Sequence, residues 1–267
     1  SLQIADEGKA KRAAAEDEDP FFAYVSLYSP HLPWAVTPEF QNSVGFDYGD
    51  FMKEVDDRIG RIVSALDGNG FGDNTMVVFS SDNGPENLAM SRSISNNRDP
   101  NGPMRGNKRD VWEGGTRVPF VVRWPGQAAP GLVVDELVWQ GDIFATVAAY
   151  LREELPANVA PDGESFLNLI RGQEKPDGQR PSLVVSSIRG DLGLKTIDGW
   201  KFIDSSGGGN STSWDSEDRS IPGAAGTNRG IPKQLFDLTD DLGEDTNLII
   251  SEGSDALQLH CLDDIVS

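Results

Sequence analysis

A short apolar run that ends in an Asp-Asn pair constrains the fold of this chain more than any other feature. Residues 75–79 (Thr-Met-Val-Val-Phe) are β-branched or apolar and are followed by turn-forming residues, a pattern that predicts a buried strand. Asp82 and Asn83 come soon after it, at the strand end where open α/β sheets bind ligands. Their carboxylate and amide oxygens suit a hard cation such as Ca²⁺ or Mg²⁺. An ordinary Asn-Gly turn with nothing bound explains the same residues, and this segment alone favours the turn.

Further strands and helices surround this run and indicate an α/β domain. From Asp50 onward, apolar residues recur every three or four positions and predict a helix that ends at the Gly-Asn-Gly of 68–70; they are Phe51, Val55, Ile59, Ile62 and Leu66. We also predict buried strands at 20–28 and 118–124, a helix over 143–151 behind an Asp142 N-cap, and an irregular loop over 84–116. The alternation predicts a parallel or mixed sheet covered by helices.

A second, smaller unit is predicted towards the C-terminus. Residues 172–181 are polar and contain two prolines, so we place the boundary there, with one domain over 1–175 and another over 176–267. Short strands predicted near 182–188, 192–197, 200–204 and 234–238 indicate an antiparallel sheet, followed by a short helix. Residues 1–19 are expected to form a helix tail or a mobile leader, and the Gly-, Ser- and Asn-rich residues 205–230 a flexible surface excursion.

Composition narrows the classes of partner. The net charge of -20, from 43 acidic and 23 basic residues, argues against nucleic acid and against an anionic membrane surface. No apolar run approaches the length of a membrane helix. Cys261 is the single cysteine, so no intrachain disulfide is possible and the compartment stays open. No signal peptide is recognisable at residue 1, and His260, with no motif around it, is expected to be a surface residue.

Four more motifs join the Asp-Asn pair in order along the chain. They are Pro30-His31 after the predicted strand at 20–28, Arg-Gly-Asn-Lys at 105–108, Glu-Gly-Gly-Thr-Arg-Val-Pro at 113–119, and Gln-Leu-Phe-Asp-Leu at 234–238 continuing through Glu244 to Asn247-Leu248. Together with Ser-Ser-Asp-Asn-Gly-Pro at 80–85, they make the chain resemble the sulfatase family of the alkaline phosphatase superfamily over about residues 18–250. The resemblance implies an alkaline-phosphatase-like mixed sheet sandwiched by helices, its N-terminal part missing, and a smaller C-terminal antiparallel-sheet subdomain.

The resemblance also implies roles for individual residues. Asp82 and Asn83 match two ligands of the single Ca²⁺ that sulfatases bind, and Lys108 matches a lysine that contacts the sulfate or the leaving oxygen. His31 matches a histidine that can hand a proton to that oxygen. The role of Arg105 and Arg109 stays open. Glu113 and the two glycines after it are expected to build a turn rather than to act in catalysis.

The chain departs from the family pattern at the nucleophile. Sulfatases oxidise the first residue of a Cys/Ser-x-Pro-x-Arg motif to formylglycine, and this motif is absent from the 267 residues. The family's N-terminal Asp-Asp metal pair and its Lys-x-His element are absent as well. We therefore expect the C-terminal portion of a sulfatase, with a Ca²⁺ site only partly present and no activity as an isolated chain.

Two alternatives remain open from the sequence. One is a phosphodiesterase or phosphonate hydrolase of the same superfamily, although only two histidines count against a two-metal site. The other is a non-catalytic binding module that retains part of the fold. If the chain is part of a sulfatase, we expect the substrate to be a sulfated small molecule or polysaccharide. The resemblance also implies a periplasmic or secreted location. We also expect His31, Asp82, Asn83 and Lys108 to converge at the C-terminal ends of the strands.

Overall fold

The computed structural model describes residues 20–174, 178, 180–205, 207–209 and 233–251. Its helices are α1 (Asp47–Gly68), α2 (Asn87–Ser95), α3 (Glu113–Thr116), α4 (Asp142–Leu151), α5 (Leu167–Ile170) and α6 (Leu248–Ser251), with a 3₁₀ helix at Gly72–Asn74. Its strands are β1 (Val77–Ser80), β2 (Phe120–Arg123), β3 (Ser182–Ser186), β4 (Leu192–Thr196), β5 (Trp200–Ile203) and β6 (Gln234–Asp237). The predicted leader over 1–19, residues 210–230 of the predicted excursion, His260 and Cys261 lie outside the described residues.

The strands form two sheets. β1 and β2 are neighbours in a two-stranded sheet, and the other strands form a four-stranded sheet in the order β3-β4-β5-β6. All neighbours in the second sheet are antiparallel, as predicted for the C-terminal part. The mixed α/β composition that the sequence predicts is thus confirmed. Among the described residues, no helix is long and apolar enough to cross a bilayer.

The chain divides into two compact units, each made of several segments. The first contains Ser1–Val78, Leu88–Asp99 and Val122–Ala128, and the second contains Phe79–Asn87, Pro100–Val121 and Ala129–Ser267. The boundary predicted between residues 175 and 176 is a different division of the chain and stays a prediction.

Helix α1 is the main element of the first unit. It covers the predicted helix and begins three residues earlier than Asp50, with Phe51 and Val55 buried. Asp50 is buried at its start and accepts the backbone N–H groups of Asn42 and Val44, both at 2.7 Å. These bonds lower the pKa of Asp50 although burial opposes the shift, so the carboxylate fixes the chain that enters α1.

The strand predicted at 20–28 is wrong. These residues have no strand hydrogen bonding, and Phe22 and Tyr24 are each 84% exposed. An apolar run becomes a buried strand only where neighbouring strands pair with it and both faces are covered. The described residues provide no strand partner for it, and its ring contacts in the first unit are Phe21 on Phe71 and Tyr28 on His31.

The second unit is built around a small apolar core beneath the four-stranded sheet. Val111 and Trp112 pack there with strand residues Ile203 and Phe236 and with Leu238. The Trp112 indole N–H donates to Gln234 Oε1 at 3.1 Å, so the buried indole is satisfied inside the core. The core therefore joins the segment before α3 to strands β5 and β6.

Two local predictions differ from the structure. The predicted irregular loop at 84–116 contains the nine-residue helix α2, whose buried side is marked only by Ala89, Met90 and Ser93 within an otherwise polar sequence. At α4, Gly141 rather than Asp142 is the N-cap. The Asp142 carboxylate instead accepts the N–H groups of Trp139 and Glu164, at 3.0 and 2.8 Å.

Candidate active site

Two loops of the second unit are tied together beside the Asp-Asn pair. One follows β1 and carries Asp82 to Glu86, and the other precedes α3 and carries Lys108 and Arg109. The Lys108 N–H donates to the Pro85 carbonyl at 2.9 Å. Arg109 Nη1 pairs with Glu86 Oε1 at 2.8 Å, and both side chains are about a quarter exposed. A backbone bond and an ion pair thus hold Lys108 next to the loop of Asp82 and Asn83.

Glu86 and Arg109 each shift the pKa of the other in the direction that favours its charged form. The Arg109 guanidinium and the Asn87 N–H lower the pKa of Glu86, although partial burial opposes this. The hydrogen bond to Glu86 raises the pKa of Arg109. The charge of Arg109 is therefore committed to Glu86, which assigns Arg109 a structural part in joining the loops.

A third tie runs from the same loop to α3. The Gly84 N–H donates to the Gly115 carbonyl at 3.0 Å. A Cβ placed on Gly84 would overlap the Gly114 carbonyl oxygen, and a Cβ on Gly114 would lie only 2.5 Å from the Arg105 carbonyl oxygen. Glycine is required at these positions because the backbones of the two segments touch.

Asp82 and Asn83 offer the oxygen donors that a hard cation needs. Asp82 is exposed, and no hydrogen bond or ion pair engages its carboxylate within the described part of the chain. The Asn83 amide nitrogen donates to the Gly84 carbonyl at 2.9 Å, which leaves the amide oxygen as an acceptor. This donor set fits Ca²⁺, but two side chains supply only part of the six to eight oxygens that Ca²⁺ takes. Among the described residues, no group of three or more His, Cys, Asp or Glu side chains could hold a metal ion.

The tied loops line an open cavity of about 500 Å³ in the second unit. Asp82, Asn83 and Lys108 all line it, so three of the four predicted site residues share one cavity. The remaining walls come from the backbone before and within α3 and from the end of β3, namely Arg109, Asp110, Gly115, Thr116, Ser186, Ser187 and Ile188. The Ile188 N–H donates to the Arg109 carbonyl at 3.0 Å and so fastens the β3 wall to the Lys108 loop.

His31, the fourth predicted residue, belongs to the first unit and is exposed. Its Nδ1 lies 2.7 Å from the Leu32 carbonyl oxygen. Because a carbonyl only accepts, Nδ1 carries a proton in this arrangement, and Nε2 is the nitrogen left to exchange one. The Tyr28 ring packs against the imidazole at a centroid distance of 5.6 Å. The predicted convergence of His31 with the other three residues stays a prediction.

A buried group of charges, here called the Glu113 cluster, lies at the start of α3. It consists of Glu113, Lys195, Lys201 and Glu244, and the half-exposed Arg117 also approaches Glu113 Oε2, at 3.4 Å. Glu113 Oε1 lies 3.0 Å from Lys201 Nζ, and Glu113 Oε2 lies 2.7 Å from Lys195 Nζ. Lys201 Nζ is also 3.0 Å from Glu244 Oε1, and the Glu113 N–H donates to Glu244 Oε2 at 2.6 Å.

The pKa values of the two carboxyl groups in the Glu113 cluster are shifted in opposite directions. Burial alone would raise the pKa of Glu113, but the Lys201 and Lys195 charges outweigh burial and lower this pKa to about 2. Burial raises the pKa of Glu244 to about 7, and the neighbouring Glu113 carboxylate adds to that shift. Burial also lowers the pKa of Lys195. Glu113 is therefore the firmly ionised member around which both lysines gather.

Comparison with known proteins decides the family. The family model described as Sulfatase matches residues 4–152, more than half of the chain. The chain belongs to the sulfatase family. The resemblance read from the five motifs is thereby confirmed, and the four-residue set Asp82, Asn83, Lys108 and His31 lies inside the matched region.

Individual sulfatases are similar to this chain over most of its length. The N-acetylgalactosamine-6-O-sulfatase of Bacteroides thetaiotaomicron is 34% identical over 239 residues, covering 86% of this chain and 44% of the relative. Human arylsulfatase A is 31% identical over 240 residues, covering 88% of this chain and 46% of the relative. The chain thus spans about half the length of the curated relatives it matches.

Solved structures agree on the fold. A Bacteroides thetaiotaomicron structure from work on glycosaminoglycan metabolism has a TM-score of 0.77 at 30% identity, covering 99% of this chain and 52% of that chain. The structure of a Pseudoalteromonas sulfatase has a TM-score of 0.67 at 25% identity, covering 92% and 47%. The fold class expected from the sequence is therefore confirmed.

The structure adds residues that the sequence did not single out. Ser186, Ser187 and Ile188 join the cavity from a strand more than seventy residues after Lys108, and the sequence carries no local signal for such a distant contact. Lys195 and Lys201 sit in predicted strands, where a lysine ordinarily marks the solvent-facing side. Only their shared contact with Glu113 shows that they point inward.

Proposed function

We propose that this chain provides the cation-binding loop and the sulfate-contacting lysine of a sulfuric ester hydrolase. The observation that carries the proposal is that Asp82, Asn83 and Lys108 line one cavity in a chain of the sulfatase family. Hydrolysis of a sulfate ester needs charge neutralised on the sulfuryl oxygens and a proton or cation at the leaving oxygen. An oxygen-donor pair beside a lysine supplies groups for both needs.

In this proposal each residue has a definite task. Asp82 and Asn83 provide two oxygen ligands of one Ca²⁺, which when bound would polarise the sulfate group and offset its charge. Lys108 donates hydrogen bonds from its ammonium to a sulfate oxygen or to the leaving oxygen. His31 donates a proton from Nε2 to the leaving oxygen, because the Leu32 carbonyl occupies its Nδ1.

The nucleophile is not among these residues. The Cys/Ser-x-Pro-x-Arg motif that carries formylglycine in sulfatases is absent from the 267 residues. The proposal therefore assigns the nucleophile, and the remaining Ca²⁺ ligands, to the part of a sulfatase that this chain does not span. It follows that the 267-residue chain by itself should not turn over a sulfate ester.

Sulfated saccharides are the substrate class that we favour over sulfated sterols. The relative named N-acetylgalactosamine-6-O-sulfatase is similar over 86% of this chain, whereas the steryl-sulfatase relatives are similar over about 60%. The open cavity has room for a sugar ring, and it is lined by the polar residues Ser186 and Ser187. Sulfated polysaccharides are extracellular, so the proposal includes a periplasmic or secreted location. Cell fractionation tests this location.

The experiment uses the purified full-length gene product with added Ca²⁺. Sulfate release is measured from sulfated mono- and disaccharides and from an aryl sulfate. Release of the alcohol from a phosphate diester is measured in parallel and tests the phosphodiesterase alternative. We expect sulfate release to fall at least about 100-fold in Lys108→Ala and Asp82→Ala, since the first removes a group that contacts the transition state and the second removes a ligand of the cation that offsets its charge. Lys53→Ala, at an exposed lysine of α1, is the matched control and should leave the rate unchanged.

Two outcomes would contradict the proposal. One is a wild-type protein that cleaves the phosphate diester but releases no sulfate, which favours the phosphodiesterase alternative. The other is sulfate release that survives both Lys108→Ala and Asp82→Ala at the level of Lys53→Ala. The isolated 267-residue chain is assayed beside these proteins, and hydrolysis above its own Lys108→Ala variant would show that a nucleophile lies within it.

A further inference from the structure

Three of the four members of the Glu113 cluster are almost completely buried. Lys201 and Glu244 have no exposed surface and Glu113 is 1% exposed. Desolvating such charges is costly, and a buried ion pair is often no more stable than a well-packed apolar group of the same size. Stability alone is therefore a weak reason for placing four charges here, whereas their contacts fix the position of one group.

That group is the first residue of α3. Lys195 and Lys201 are directly opposite each other on the antiparallel strands β4 and β5, where two like charges repel. Glu113 offers one carboxylate oxygen to each lysine and so offsets this repulsion. Glu244 fixes the same residue from the other side by accepting the Glu113 N–H. Both the side chain and the backbone of Glu113 are thus held by the C-terminal sheet and the segment after it.

From Glu113 a chain of close backbone contacts leads to the cation-binding loop. The Gly114 N–H donates to the Arg105 carbonyl at 2.6 Å, and the Gly115 carbonyl accepts the Gly84 N–H at 3.0 Å. No Cβ fits on Gly84 or Gly114, so these segments cannot slide past one another without breaking contacts. Gly84 follows Asn83 directly, and a displacement of Glu113 therefore reaches the proposed ligand through three glycines of packed backbone, Gly114, Gly115 and Gly84.

The same backbone also fixes Lys108. Arg105, whose carbonyl accepts the Gly114 N–H, packs its guanidinium on the Trp112 ring at 4.0 Å and donates to the Glu244 carbonyl at 3.1 Å. Lys108 lies three residues further on and is bound through its N–H to Pro85. Glu244 is thus joined by separate contacts to Glu113 and to Arg105, one on each side of the cavity-lining turn.

We propose that Glu113, held by Lys195, Lys201 and Glu244, is a positioning residue for the Asp82–Asn83 cation loop and for Lys108. The C-terminal sheet then sets the geometry of the active site without touching the substrate at this point. This inference rests on the proposed function for the meaning of the loop, but the structural coupling that it states is measurable without catalysis. Outer residues that orient metal ligands commonly change metal affinity or activity 10- to 100-fold when replaced.

The test compares Glu113→Gln with Glu54→Gln in the full-length gene product. Glu54 is a buried glutamate of α1 that binds Arg58 at 3.0 Å and the Thr37 N–H at 3.0 Å, so it matches Glu113 in burial and in kind of partner. Ca²⁺ affinity is measured by calorimetry, and amide hydrogen exchange is followed at Gly84. We expect Glu113→Gln to weaken Ca²⁺ binding at least about 10-fold and to speed exchange at Gly84, while Glu54→Gln changes neither.

Lys195→Met is the second variant, because Lys195 is partly exposed and its loss removes one of the contacts to Glu113 with little change in the core. It should shift Ca²⁺ affinity and Gly84 exchange in the same direction by a smaller factor, and this decides the matter if Glu113→Gln does not fold. Unchanged Ca²⁺ affinity and unchanged Gly84 exchange in Glu113→Gln or Lys195→Met would overturn the inference and leave the cluster a purely structural feature. A wild-type protein that binds Ca²⁺ but releases no sulfate would contradict the proposed function. The comparison of hydrogen exchange at Gly84 would still test whether Glu113 positions the loop.

Discussion

The ion pair between Asp142 and Arg180 gives a sharp test of how burial controls the strength of a charge contact in this protein. Arg180 Nη2 lies 2.6 Å from Asp142 Oδ1, and the two side chains are 5% and 2% exposed. The same carboxylate accepts the N–H groups of Trp139 and Glu164. Replacing Asp142 by alanine removes the nearest carboxylate from the buried guanidinium, which keeps only Glu164 at 3.4 Å and the Asp162 carbonyl at 3.1 Å. It also leaves two backbone donors without their acceptor.

The expected cost follows from these contacts. Removing one partner of a buried ion pair costs about 3–5 kcal/mol, because the remaining charge stays out of water. The exposed pair of Arg123 and Asp67 has nearly the same separation, 2.8 Å, but its side chains are 38% and 48% exposed. Breaking an exposed pair costs less than about 1 kcal/mol. Asp67→Ala is therefore the matched control in which burial is the variable.

The assay is urea-induced unfolding followed by circular dichroism, supported by thermal unfolding. We expect Asp142→Ala to lose about 3–5 kcal/mol, equivalent to a fall in Tm of roughly 6–20 °C for a domain of this size. The double variant Asp142→Leu with Arg180→Met should be less destabilised than Asp142→Ala, because it removes both charges. An Asp142→Ala protein within 1 kcal/mol of Asp67→Ala would refute the reasoning from burial.

Two further predictions concern the contacts around α3. Gly84→Ala should weaken Ca²⁺ binding at least about 10-fold by calorimetry, because its Cβ would overlap the Gly114 carbonyl. The control Gly60→Ala in α1, where the new Cβ has no atom within 4 Å, should raise the free energy of unfolding by up to about 1 kcal/mol. Equal Ca²⁺ affinities in the two variants would contradict the steric argument. Burial raises the pKa of Glu244 from 4.5 to about 7, so the folded protein keeps a proton that the unfolded chain has released between these pH values. Its contribution to stability therefore falls as the pH rises through this window, by up to roughly 3 kcal/mol at about 1.4 kcal/mol per pH unit. Urea midpoints at pH 5 and pH 7.5 should differ less in Glu244→Gln than in wild type, and an equal difference would show that Glu244 does not titrate there.

The elements that the sequence predicted well are those whose signal is local. The helix over Asp47–Gly68 shows a regular apolar spacing and a Gly-Asn-Gly stop, and the strands from Ser182 to Asp237 are short β-forming runs between turns. Sequence motifs also brought Asp82, Asn83 and Lys108 together before any geometry was available. Each of these signals is contained within a few neighbouring residues, which is why it can be read without the fold.

The predictions that were wrong concern segments whose burial depends on tertiary contacts. Residues 20–28 have the composition of a buried strand, but composition does not say whether a neighbouring strand pairs with them. At β5, Lys201 stands between Trp200 and Phe202, and alternation predicts that the lysine faces solvent. It is instead fully buried, because Glu113 and Glu244 meet it from outside its own strand. Only tertiary contacts carry this information.

These contacts explain why two distant motifs occur together in the chain. They are the Glu-Gly-Gly sequence at 113–115 and the segment from Gln234 to Asn247. Glu113 supplies the charge that two opposed lysines require, and the glycines after it allow the backbone to touch the loop of Asp82 and Asn83. The later segment supplies the Trp112 partner Gln234 and the Glu113 partner Glu244. A residue far from the cavity in sequence, such as Glu244, is thus connected to the cavity-lining segments through Glu113 and through Arg105. For that reason the C-terminal sheet should be treated as part of the machinery that shapes the site, although it contributes none of the residues proposed to bind the cation.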